Sequence, residues 1–199
     1  MSELTVLQAV RLKGRVSPAD LAATLNEDGV TDTVERLIAS GLLVDGATLR
    51  LSPAGRSRLS ELLTEERAGL NPAVLGAAYD EFRSVNADFK ALVTDWQLKD
   101  GAPNTHEDPD YDAAVLARLD ETHHRLRPII ETAATELPRL GAYQTKLQSA
   151  LERVKTGEVA WLTRPLIDSY HTVWFELHEE LIGAVGLSRE QAAKLGDAQ

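Results

Sequence analysis

All five histidines of this 199-residue chain, His106, His123, His124, His171 and His178, lie in its second half. Imidazole is the side chain best suited to proton transfer and metal ligation near neutral pH, so any chemistry is sought there first. Asp168 and His171 are three residues apart and His178 follows seven further on, with Glu179 beside it. On a helix these side chains share one face. A metal site on such a face also needs a ligand from a second helix, for which His123 or His124 is eligible. The spacing matches no metal motif, and a solvated or hydrogen-bonded structural role is the reading the pattern favours. The acidic run Glu107-Asp108-Pro109-Asp110-Tyr111-Asp112 lacks the glycine and spacing of a calcium loop and reads as a helix cap in a solvated loop.

Aromatic residues supply the other candidate. Trp96, Trp161, Tyr170 and Trp174, with Phe175, are placed to wall an apolar pocket between helices, where His171, His178 or Arg164 would orient an anionic ligand. The competing reading is that aromatics at seam spacing are core. No phosphate-cradling glycine loop, nucleophile elbow or acid/base pair is present, and zero cysteines exclude disulfides, thiol catalysis and thiolate metal sites. The expectation is a protein that is not an enzyme, with no catalytic residue, no metal and no cofactor.

The elements that would position these groups are mostly helical. Ser17-Pro18-Ala19-Asp20 is a helix start, with Ser17 as cap, Pro18 where no amide hydrogen is needed and Asp20 at the positive helix end. After the polar turn Asn26-Glu27-Asp28-Gly29, a second helix begins near Thr31 and carries Val34, Leu37 and Ile38 before Gly41 stops it. Leu42-Leu43-Val44 and Thr48-Leu49-Arg50-Leu51 are short β-type runs joined by Asp45-Gly46, a hairpin dipeptide, and Ser52-Pro53 opens another helix. Leu4, Val6, Leu7 and Val10 mark a first helix beneath this pair. The break at Ala68-Gly69-Leu70-Asn71 ends a first domain over 1–68.

From Asn71-Pro72 onward, Leu75, Tyr79, Phe82, Val85, Phe89, Leu92 and Trp96 are spaced close to a heptad seam for about 26 residues, roughly 39 Å of helix. Lys99 to Pro109 reads as a loop. Val115, Leu119, Leu126, Ile130 and Leu137 mark a further helix, expected to bend or break near Pro128. Leu140, Tyr143, Leu147, Leu151 and Val154 mark the next. Ile167, Tyr170, Trp174, Leu177, Leu181 and Val185 mark the last long one, with Ser188 capping a terminal turn. The fold class expected is mainly α: an N-terminal winged helix-turn-helix with a small β-hairpin, then an all-α antiparallel helical bundle over 71–199.

Three pieces in order, Leu21-Ala22 through Thr33-Val34-Glu35-Arg36-Leu37, then Gly41-Leu42-Leu43, then Leu51-Ser52-Pro53-Ala54-Gly55-Arg56, resemble the winged-helix domain of bacterial transcriptional regulators of the MarR and PadR kind. The resemblance covers about the first third of the chain. It implies that the second helix of the pair enters the DNA major groove and that the hairpin touches backbone or minor groove. The contacts it implies are Thr31, Thr33, Arg36, Arg50 and Arg56. Two departures stand out. The turn between Leu25 and Thr33 looks about two residues longer than the usual form, and the expected recognition helix exposes Asp32 and Glu35 with Arg36 its only base. Carboxylates facing phosphates are repelled, which leaves open a protein-binding winged helix.

A second resemblance involves Val93-Thr94-Asp95-Trp96-Gln97 and the stretch from Asp168 to Leu181, which is similar to a C-terminal segment of actinobacterial pyruvate phosphate dikinase-like proteins. It implies a regulatory or accessory module without phosphotransfer machinery.

The net charge is −10, which argues against non-specific coating of nucleic acid. Residues 1–68 hold eight bases against ten acids, so −2, and the remainder carries −8. The expected partners are sequence-specifically bound duplex DNA, a small-molecule effector and a second copy forming a homodimer, and no membrane. No run approaches the roughly 20 apolar residues of a membrane span and the first residues lack a signal-peptide pattern, so a cytoplasmic location is expected.

Overall fold

A computed structural model describes residues 1–25, 28–187 and 189–194, and the chain is mainly helical. It divides into two compact units, Met1–Gly69 and Leu70–Gln199.

In the first unit, α1 (Glu3–Lys13) starts where Ser2 Oγ accepts the Thr5 amide at 3.1 Å and ends at Gly14, whose φ of 70° turns the chain. The chain then passes through Val16 into α2 (Pro18–Leu25). Ser17 Oγ caps it, accepting from the Asp20 amide at 3.1 Å and donating to the Asp20 carboxylate at 2.6 Å. Helix α3 spans Val30–Ala39, beginning one residue before the position expected from the pattern. The Asn26-Glu27 part of the expected long turn lies outside the described residues.

Strands β1 (Leu43–Val44) and β2 (Arg50–Leu51) pair antiparallel, Leu43 opposite Leu51 and Val44 opposite Arg50. An antiparallel bridge between Val16 and Leu49 lays the α1–α2 connection along the other edge of β2. Helix α4 (Pro53–Arg67) follows, its cap Ser52 accepting from the Gly55 amide at 2.9 Å and donating to the Gly41 carbonyl at 2.7 Å. One apolar face of each helix and the inner sides of Val16, Leu43, Leu49 and Leu51 close a single core.

In the second unit, α5 (Pro72–Gln97) is capped by Asn71 and buries every seam residue from Leu75 to Trp96. Helix α6 (Pro109–Glu136) runs antiparallel to it: Arg118 pairs with Asp95, Arg125 with Asp88, and Glu136 accepts the Asn71 amide. The segment between them, read from sequence as loop alone, holds a small hairpin, β3 (Leu98–Lys99) and β4 (Ala102–Pro103), turned by Asp100 and Gly101 at φ 53° and 80°.

The expected break at Pro128 does not occur, and α6 is one helix. Proline forfeits a single hydrogen bond, to the carbonyl of exposed His124, which water can satisfy. Leu126, Ile129, Ile130 and Ala133 hold the helix on the core through that turn. After a 3-10 turn at Pro138–Gly141 comes α7 (Ala142–Lys155), antiparallel to α6 through Gln144 with Glu131 and Lys155 with Asp120. A single-turn α8 (Ala160–Thr163) leads to α9 (Tyr170–Ala184), which Ser169 caps. Ile167, expected on that helix, lies before its cap. Helix α10 spans Arg189–Lys194, and the proposed cap Ser188 lies outside the described residues.

Helix α9 packs antiparallel on both α5 and α7: Phe89 meets Tyr170, Asn86 bonds Trp174 and Phe82 meets His178, while Arg139 at the start of the α7 segment pairs with Glu180. Among the described residues, no helix is long and apolar enough to cross a membrane.

Candidate functional site

The outward face of α3 is where the winged-helix resemblance puts two of its contacts. Val30, Thr33, Val34 and Leu37 point into the core, leaving Thr31, Asp32, Glu35, Arg36 and Ala39 exposed. Thr33 leaves the set of expected DNA contacts, because it is only 2% exposed and its hydroxyl accepts Arg36 Nη2 at 3.0 Å. Helical phase explains the placement, since Thr33 falls three residues after Val30 and four before Leu37. Arg36 is laid back along its own helix, with Nε also donating to the Asp32 carbonyl at 3.4 Å. The outward face therefore presents two carboxylates and a guanidinium already engaged with α3. Arg50 is exposed on β2, and Arg56 is exposed at the start of α4, its Nη1 donating to the Leu51 carbonyl at 3.2 Å.

In the second unit, four of the residues expected to wall a ligand pocket, Trp96, Tyr170, Trp174 and His178, fill core instead. Trp174 is wholly buried, stacks on Phe89 with ring centroids 4.1 Å apart and donates its indole N–H to Asn86 Oδ1 at 2.8 Å. Tyr170 is wholly buried 6.0 Å from the Trp174 ring, and His178 sits against Phe82 and Tyr79. Half-buried His171 faces Phe89. Trp96 is covered by the His106 ring at 4.4 Å, half-buried Trp161 by the Arg153 guanidinium at 4.2 Å, and Arg164 lies exposed at the end of α8. Tyr170, His171, Trp174 and His178 thus share one aromatic cluster around Phe82 and Phe89, while Trp96, Trp161 and Arg164 lie elsewhere. His106 belongs to the β3–β4 end, where its Nδ1 meets Asp112 at 2.9 Å. Among the described residues, no three His, Asp or Glu side chains group as a cation donor set.

Sequence reasoning missed the polar interior. Glu176, His178, Glu179 and Glu180 of α9 are all buried, and no residue of this helix is exposed. Glu180 is held by Arg139, whose Nε and Nη2 both reach its carboxylate, the shorter contact at 3.0 Å. Burial, reinforced by the charges of Glu180 and Glu176, holds the Tyr143 hydroxyl well above its usual range and so keeps it neutral.

A second polar chain crosses from α7 to α9. Gln148 Nε2 donates to the Glu152 carboxylate at 2.8 Å, which turns its carbonyl oxygen toward His123 Nε2 at 3.0 Å. That oxygen can only accept, so His123 carries its proton on Nε2, and Nδ1 accepts the Tyr170 hydroxyl at 3.1 Å. Desolvation pushes the His123 pKa below 6.5 and raises that of Tyr170, so both groups stay neutral. Because the folded value for His123 is depressed, its contribution to stability is present above about pH 6.5. That contribution is lost as the pH falls through the folded value, where protonation would turn Nδ1 from acceptor to donor. Melting temperatures measured from pH 7.5 to 4.5 should therefore fall more steeply for the wild type than for His123→Gln. Parallel curves would remove His123 from this role. Beside it, His123, Arg127, Gln144, Gln148 and Glu152 line an open groove of about 550 Å³ between α6 and α7 that includes none of the predicted ligand residues.

No family model, curated protein or solved structure matches this chain.

Proposed function

We propose that this protein is a DNA-binding transcriptional regulator: a winged helix-turn-helix in the first unit, followed by an antiparallel helical bundle that sets the dimer or senses an effector. The observation that carries the reading is the Val16–Leu49 bridge. It makes the order helix, edge strand, helix, helix, hairpin, helix, the arrangement in which α3 would lie across a major groove with the hairpin against the flanking backbone. Thr31 and Arg36 on α3 and Arg50 and Arg56 at the hairpin are the contacts this reading uses. Arg36→Ala/Arg50→Ala should weaken duplex binding by at least tenfold, read by gel shift, with the circular dichroism spectrum retained. Unchanged affinity in the folded double variant would remove the reading.

Asp32 and Glu35 on the exposed face of α3 favour a second reading, a winged helix that grips a protein. The similarity of the later segments to a pyruvate phosphate dikinase-like C-terminal part makes such an enzyme the first partner to try. Glu35→Arg would abolish capture of that partner on this reading and strengthen duplex binding on the first.

A further inference from the structure

We infer that Arg15 and Arg50 together form an oxyanion site that takes a backbone phosphate of duplex DNA, so that the sheet edge holds the backbone beside the groove that α3 enters; this rests on the DNA-binding reading above. The antiparallel bridge between Val16 and Leu49, with the Leu49 amide donating to the Val16 carbonyl at 2.7 Å and the return bond at 3.4 Å, puts their chain neighbours Arg15 and Arg50 at the next register position. Val16 and Leu49 are both buried, whereas their neighbours Arg15 and Arg50 are both exposed. Like charges directly opposite across a strand pair repel.

Among the described residues, neither guanidinium is engaged in a hydrogen bond or ion pair, whereas Arg58 in the same unit is held by Glu3 and Glu61. The nearest hairpin carboxylate, Asp45, is turned back onto the Gly46 amide. One residue beyond Arg50, the Arg56 guanidinium is fixed at the Leu51 carbonyl and adds positive charge on the same strand. Two guanidiniums at one register position, neither paired with an acid, suit a phosphate, whose oxygens take a fork from each. By contrast, the α3 face carries Asp32 and Glu35 and would be repelled by the same strand of phosphates. Affinity therefore sits mainly at the sheet edge, and α3 has little base-reading power beyond Thr31 and Arg36.

The test is fluorescence anisotropy of a labelled duplex over a salt series with the full chain, comparing wild type, Arg15→Ala/Arg50→Ala and the control Arg164→Ala. The double variant should lose about 0.9 from the slope of log affinity against log salt, the share of one phosphate contact, equally on related and unrelated sequences. Its melting temperature should be unchanged or raised, because a repulsive pair is relieved, and Arg164→Ala should match the wild type. A wild-type slope in the double variant overturns the site. If wild-type protein binds no duplex, the DNA-binding reading fails, and the pair is then read from arginine Nε–Hε NMR signals during titration with inorganic phosphate. Joint saturable shifts at Arg15 and Arg50 keep an oxyanion site without DNA, and their absence overturns it.

Discussion

Trp174→Ala should lower the stability of the folded chain by about 4 kcal/mol, a fall in melting temperature on the order of 15 °C. Removing the indole leaves a cavity against Phe89 and Phe82 and strips Asn86, itself buried, of its hydrogen-bond donor. The cavity is the larger loss, and an orphaned buried amide oxygen adds about 1–3 kcal/mol. Trp174→Phe should fall between wild type and Trp174→Ala, because it keeps a six-membered ring in the cavity but loses the N–H and the rest of the indole. Thermal unfolding of both variants checks the assignment. A Trp174→Ala protein within about 1 kcal/mol of wild type would mean that this residue faces a pocket and not the core.

Gly55→Ala should destabilise the first unit by about 3 kcal/mol. Helix propensity alone predicts the opposite, since alanine is favoured over glycine by about 1 kcal/mol in a helix. The deciding contact is the Leu42 carbonyl. A methyl at position 55 would lie inside contact distance of its oxygen and 3.0 Å from its carbon. That carbonyl is also fixed by the Ser52 amide at 3.0 Å, so neither backbone can yield cheaply. Relief would require α4 to move off β1, breaking the Ser52 link to Gly41. Chemical denaturation followed by a probe in the first unit would show the loss, and an unchanged midpoint would contradict this packing.

The long helices could be read from sequence because their seams repeat every three or four residues over many turns. Leu75 to Trp96 and Leu140 to Val154 are buried as that period requires. The same period puts Thr33 on the inner face of α3, against its place among the contacts that the winged-helix resemblance implies. The Leu98–Pro103 hairpin had a signal in Asp100-Gly101, obscured by the flanking polar and proline residues.

Glu176, Glu179 and Glu180 had no such signal. Acidic residues beside a seam normally mark the solvent side, and only a helix enclosed on every face buries them. Which aromatics would line a cavity was equally invisible. Ring-to-ring packing such as Phe89 on Trp174 depends on how α5 and α9 cross, which spacing within either helix does not encode. The Arg15–Arg50 juxtaposition needed the strand register, which joins residues 35 positions apart in sequence.

The central claim is specific recognition of DNA by the first unit. It is tested most directly by fluorescence anisotropy with duplex from immediately upstream of the protein's own gene, against unrelated duplex of equal length, at two salt concentrations. The account predicts tighter binding to the upstream duplex, weakening with salt on both. No preference at low salt, from protein verified as folded by circular dichroism, would contradict it and leave the α3 carboxylates as the surface of a protein-binding module.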